Sequence, residues 1–229
     1  MIKVFILCFC LFSLVACSSM QSKTSQNTQS TRNCGHSISD EESMQLDLAI
    51  TLMDEDKLHA ALAHLDNIDT RSLRADYLRA ETLRQLGNTT QAKSLYSKLL
   101  DTCMAGSGQH GLGLIAAEQD DLPAALSHLK LATTALPIDP RVRNDYGYAL
   151  LLNGQFSQAR HEFLTALELG DKANHAKNNL ILLLLVTDKQ QKAKQLAQKF
   201  AINSAVLLSL REHSNSLKRT IKQHQQIDQ

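Results

Sequence analysis

The sequence predicts an all-α fold, an α-solenoid of about five helix–turn–helix units, on three observations. From about residue 42, small and apolar residues recur at helical spacing and return at matched positions with a period of about 34 residues. The breakers stand between these segments: Pro123, Pro137 and Pro140 all fall at expected helix boundaries and none inside a helix. The composition agrees, with three prolines, nine glycines and no tryptophan among 229 residues rich in Ala, Leu and Gln. A chain of this length has room for one or two domains with a real core.

In chain order, residues 1–16 read as an export signal. Lys3 supplies a positive start, and Val4 to Phe12 is a nearly unbroken apolar run, too short to span a bilayer. It ends in Leu14-Val15-Ala16-Cys17, which resembles the lipobox of bacterial lipoproteins. That resemblance implies cleavage before Cys17 and acylation of its thiol; the alternative is an ordinary export signal with a chance cysteine. Several acyl chains, at about 0.8 kcal/mol per buried methylene, anchor a protein almost irreversibly. Ser18 follows Cys17, and by resemblance to Gram-negative lipoproteins a residue other than aspartate there implies the periplasmic face of the outer membrane. Residues 17–36 then form a lipidated cysteine and a polar tether, too poor in apolar residues to offset the entropy of ordering.

Of five cysteines, Cys8 and Cys10 leave with the signal and Cys17 is the lipid site, so Cys34 and Cys103 remain. In an oxidising compartment two readings stand side by side, a Cys34–Cys103 disulfide or two free thiols. Neither cysteine has a metal-binding spacing, and no metal site or cofactor is expected.

The repeats occupy 37–207. The first unit, about 42–72, carries Leu48-Ala49, a turn at Asp54 to Asp56, then Ala61 and Leu65. The second, about 73–105, has Ala80, a turn at Gly87-Asn88, then Ala92, Tyr96 and Leu99. Gly106-Ser107-Gly108 is expected to be a loop that breaks the chain before the third unit. That unit, about 106–139, has Leu112-Gly113, a turn at Asp120-Asp121 and then Pro123, whose missing N–H is tolerated in a first turn. The fourth, about 140–173, is the clearest. Tyr146-Gly147 precedes the turn Asn153-Gly154, and Ala159, Phe163, Ala166 and Leu167 line the second helix. Small residues at Gly147 and Ala159 let two helices approach, and Phe163 fills the gap between them.

The fifth unit, about 174–207, carries the apolar run Leu180 to Val186, a turn near Thr187-Asp188, then Ala193, Ala197 and Phe200. A helix apolar all round is buried between neighbours, so this one is expected to be covered by the segment C-terminal to it. Residues 208–229 read as a polar, partly helical cap, which a stack needs at its end.

The fourth unit resembles the tetratricopeptide repeat (TPR), with a small-residue pair, a turn, then Ala159-x3-Phe163 and the later Ala166. The resemblance implies a right-handed superhelix whose first helices line a concave, partner-binding groove. Helical counting places Tyr77, Arg84, His110, Arg141, Asn144, Tyr148, His175 and Asn178 on that face. Arg and Asn clamp peptide backbones and carboxylates, and Tyr adds rigid apolar area with a polar tip. The alternative for each of these is solvated surface.

No nucleophile elbow, phosphate loop, paired-histidine metal motif or dinucleotide fingerprint occurs, so no catalytic residue is assigned and an enzyme is not expected. His59 and His64 are five apart and miss the helical i,i+4 geometry of a metal pair. A net charge of +1 without a basic stripe argues against nucleic acid as a partner.

Two stretches, Asp139-Pro140-Arg141-Val142-Arg143-Asn144-Asp145-Tyr146-Gly147-Tyr148-Ala149-Leu150 and Asn178-Asn179-Leu180-Ile181-Leu182-Leu183, together with the lipobox, resemble the TadD-type TPR lipoproteins of tight-adherence (Flp) pilus assembly. The resemblance implies a pilotin-like role toward the outer-membrane secretin of that machine, and it brings no catalytic residues. Other readings stay open: a general envelope adaptor for peptidoglycan enzymes or outer-membrane protein insertion, and an enzyme with an unrecognised site.

Overall fold

A computed structural model describes residues 39–68, 72–170 and 175–227. The expected signal, lipid site, tether and Cys34 lie outside the described residues. Within them the chain folds into eleven helices: α1 (Asp40–Asp54), α2 (Leu58–Leu65), α3 (Leu73–Gln85), α4 (Thr89–Leu99), α5 (Ala105–Glu118), α6 (Leu122–Ala135), α7 (Pro140–Leu152), α8 (Phe156–Glu168), α9 (His175–Val186), α10 (Gln190–Lys199) and α11 (Ser204–Ile227). Consecutive pairs form five hairpins, each packing on the next, and α11 follows the fifth. None of the described helices is long and apolar enough to cross a membrane.

Side chains written into the sequence start several of these helices. Ser39 accepts from the Glu42 N–H at 3.1 Å, Ser72 from Ala75, and Asp121 from Ala124. Asp139 accepts from the Arg141 N–H beside Pro140. Each cap satisfies an N–H that the first helical turn leaves unpaired. The five expected hairpin turns are all present, and each ends in the left-handed backbone region. Gly87 and Gly154 occupy it in the second and fourth units, and Asp56, Asp120 and Asp188 in the others. Aspartate tolerates this conformation better than most residues with a Cβ.

Small residues set close helix approaches both within a hairpin and between neighbouring hairpins. An added Cβ at Gly147 would meet the Phe163 ring at 2.8 Å, and at Gly111 the Tyr96 ring at 2.2 Å. Tyr96, Phe163, Ala92, Ala125, Ala159 and Ala166 are all buried. The Arg79 side chain is buried as well and donates to the Leu65 and Ile68 carbonyls, fastening the end of α2 to α3.

Gly106 and Gly108 correct the expected loop. Both lie in the first turn of α5, where Cβ atoms would run into Leu136 and the Tyr96 carbonyl. Close packing, and not a chain break, explains these glycines. The C-terminal boundary also shifts: α11 is one helix from Ser204, inside the range expected for the fifth unit. Its Leu217 and Ile221 are buried in one cluster with Leu150, Phe163, Leu180 and Leu183, so the apolar α9 is covered as expected.

Candidate protein-binding groove

The first helices of the units contact one another in succession, α1 with α3, α3 with α5, α5 with α7 and α7 with α9. Their shared face holds a pocket of about 560 Å³ to which all five helices contribute. Tyr77 and Arg84 come from α3, His110 from α5, Arg141 from α7 and His175 from α9. Five of the eight residues expected to face the groove thus surround one cavity.

The other three stand elsewhere. Asn144 is buried in the wall, where it accepts from the Asn179 side-chain amide at 2.9 Å and donates to Asp145. Tyr148 is half-buried, and its hydroxyl meets Nε2 of His213 on α11 at 3.2 Å. Asn178 has its side-chain oxygen buried with no hydrogen-bond partner among the described residues.

Charge in the pocket is arranged in pairs. Arg84 bonds both Glu81 on its own helix and Glu118 on α5. His110 Nε2 lies 2.8 Å from Asp145 Oδ2, and Arg141 bonds Asp139 at 2.8 Å. Burial alone would raise the Glu81 carboxyl, but bonds from Arg84, Gln85 and Tyr96 outweigh it and hold the group below its usual range. Burial, with the Glu81 charge added, pushes the Tyr77 phenol up. Burial would likewise raise Asp139, yet the Arg141 guanidinium and backbone N–H groups hold it down. Arg141 itself keeps most of its side chain in solvent, at 68% exposure, and Arg74 on the same rim is exposed too.

Sequence reasoning passed over Glu81, Asp145 and Asn179. Glu81 had a legible signal, standing four residues after Tyr77 and three before Arg84 on one helical face. Asp145 and Asn179 had none, because their partners lie in neighbouring units.

The helix α11 limits the open face. It packs on α9 and reaches α7, and Thr220 lies with Leu114 and Ala117 of α5 around a small cavity. Among the described residues, no group of three or more His, Cys, Asp or Glu is placed to hold a metal ion. Cys103 is disulfide-bonded, and Cys34, its partner in one of the two readings of the sequence, lies outside the described residues.

Stacked hairpins around a groove lined by paired charges and a tyrosine define the class, an α-solenoid interaction scaffold. The chain belongs to the TPR repeat-containing protein family, being 35% identical over 173 residues to TPR repeat-containing protein PA4299 of Pseudomonas aeruginosa, a match covering 76% of this chain and 70% of that one. Among models of known protein families, none matches. Solved structures agree on the fold. The chain is similar to Pseudomonas aeruginosa PilF, with TM-score 0.59, 20% identity and coverage of 80% of this chain and 87% of that one. It is also similar to YrrB, a TPR protein with an unusual peptide-binding site, with TM-score 0.51, 20% identity and coverage of 73% and 90%.

Proposed function

We propose that this chain is a lipid-anchored scaffold on the periplasmic face of the outer membrane, binding a protein segment in its inner groove. Its role is pilotin-like, toward the secretin of a tight-adherence pilus machine. One observation carries the binding site: all five inner helices deliver a side chain to the pocket around Tyr77, Arg84, His110, Arg141 and His175. Arg74 and Arg141 reach solvent, positioned for backbone carbonyls or carboxylates of an incoming segment, and Tyr77 offers a flat apolar face. A peptide-binding site on YrrB, a protein of similar fold, supports the reading that the partner is a peptide segment. The lipid anchor and secretin rest on the Leu14-Val15-Ala16-Cys17 motif and on the tight-adherence resemblance.

The test is a pull-down from detergent-solubilised envelopes with wild type, Cys17→Ala and Arg74→Ala/Arg141→Ala. The expected result is a secretin recovered by wild type, mislocalised in Cys17→Ala cells and lost from the arginine variant. Cell-wall enzymes or insertion machinery in place of a secretin would instead identify a general envelope adaptor.

A further inference from the structure

A second furrow opens outside the groove, between the second helices α8 and α10 and floored by α9. It encloses about 640 Å³ over Leu180, Leu183 and Leu184. Its cations are Arg160, Lys189, Lys192 and Lys199, and no carboxylate lines it. The equivalent furrow one unit earlier, between α6 and α8, has one lysine, Lys130, and a carboxylate, Glu162, and is otherwise lined mainly by polar side chains over Tyr146 and Leu150. The last interval thus has an apolar floor and four cations without a carboxylate, which its neighbour lacks, in a chain whose net charge is only +1.

The complement is at the other end of the stack. The helix α1 carries five carboxylates and no cation. Its outer face presents Met44 and Leu48, one helical turn apart and 68% and 48% exposed. Asp40, Glu41 and Asp47 are exposed on the same side, opposite the buried Leu46 and Ala49. Two apolar anchors flanked by carboxylates are what a leucine-floored, lysine-rimmed furrow takes from a docking helix. Since α1 is packed against α2 and α3, it is held four hairpins away from its own α10.

We infer that the furrow between α8 and α10 receives α1 of a second copy of this chain, joining copies head to tail. The contact is heterologous, so each copy keeps one free α1 and one free furrow, and assembly continues unless the rotation closes a ring. A bilayer is the poorer occupant because the leucines are recessed beneath the cations, and a flat surface touches the rim without reaching the floor.

The test is sedimentation velocity on the full chain in mild detergent, over a range of concentrations. Wild type should form a concentration-dependent series of oligomers that weakens with added salt. Asp47→Ser/Leu48→Ser and Lys192→Ser/Lys199→Ser should each be monomeric, their self-association at least about tenfold weaker, with unchanged helicity by circular dichroism. Mixed together, these two variants retain one intact α1 and one intact furrow between them. They should form a one-to-one dimer and nothing larger. Wild type that stays monomeric, or variants that associate as wild type does, would overturn the inference. So would a furrow variant of unchanged oligomeric state that loses binding to phosphatidylglycerol vesicles, which would assign the furrow to lipid.

Discussion

Asn179 donates its side-chain amide to the Asn144 oxygen at 2.9 Å, tying the first helices of the fourth and fifth units across 35 residues of sequence. The His110–Asp145 contact at 2.8 Å spans the same 35-residue separation, and Arg84 reaches Glu118 across 34. The repeat period is thus written a second time, as polar bonds between neighbouring inner helices.

Asn144→Ala should destabilise the fold by roughly 1–3 kcal/mol, because the Asn179 amide loses its acceptor in a half-buried setting. Urea unfolding of Asn144→Ala, Asn179→Ala and the double variant checks this. The double variant should lose little more than either single one, since both remove the same bond. Fully additive losses would mean the bond does not couple the units.

Gly111→Ala should cost roughly 1–3 kcal/mol through overpacking against the fully buried Tyr96 ring. A thermal melt followed by circular dichroism reads the loss as a lower midpoint. An unchanged midpoint would show that α4 and α5 can move apart freely.

The Glu81 carboxyl is held below the ordinary glutamate range in the folded state, where bonds from Arg84, Gln85 and Tyr96 outweigh its burial. Its contribution is therefore present above the unfolded value and disappears as pH falls through the folded one. Wild type should lose stability on acidification from about pH 5 downward, the unfolded glutamate titrating near 4.3. Glu81→Gln should be less stable at pH 7 by roughly 2 kcal/mol and fall less steeply below pH 5. Parallel urea curves for both proteins at pH 7, 5 and 3 would contradict this account.

Leu217→Ala should cost about 2–4 kcal/mol, because its side chain fills the space against Leu180, Leu183 and Phe163. Exposed apolar surface on the fifth unit then registers as increased binding of a fluorescent hydrophobic dye. Tyr148→Phe keeps the packing and should change stability far less.

Alkylation followed by intact-mass measurement tests the cysteine pairing. Cys103 should stay unlabelled until reductant is added, and Cys34→Ser should make it reactive without reductant. A Cys103 still protected in Cys34→Ser would assign its partner elsewhere.

The sequence showed the hairpins because their determinants are local and periodic. Asp56, Gly87, Asp120, Gly154 and Asp188 end the turns, and Gly147 opposite Phe163 identifies a close approach within a single unit. Gly106 and Gly108 were misread because two glycines around a serine have low helix propensity. Tertiary crowding by Tyr96 and Leu136 overrides that preference. Helical counting brought Tyr77, Arg84, His110, Arg141 and His175 to one pocket, since each lies on the inner stripe of its own helix. The same counting could not reveal that Asn144 is used up by Asn179 or that Tyr148 meets His213, 65 residues later. Those contacts depend on how units stack and on where α11 returns.

That return has a consequence for how the molecule breathes. In a simple stack each unit holds only its neighbours, and either end frays alike. Here α11 runs from the fifth unit over α9 and α7 to Thr220 beside α5, and Lys218 bonds Asp188 along the way. It ties the last two units to each other and closes a small cavity against the third, so these units should open together. No equivalent strap crosses α1 to α4 among the described residues, so slow amide exchange should concentrate in the last three units. A segment bound beside Tyr77, as proposed, should therefore hold the end of the molecule that the strap does not reach and slow its amide exchange.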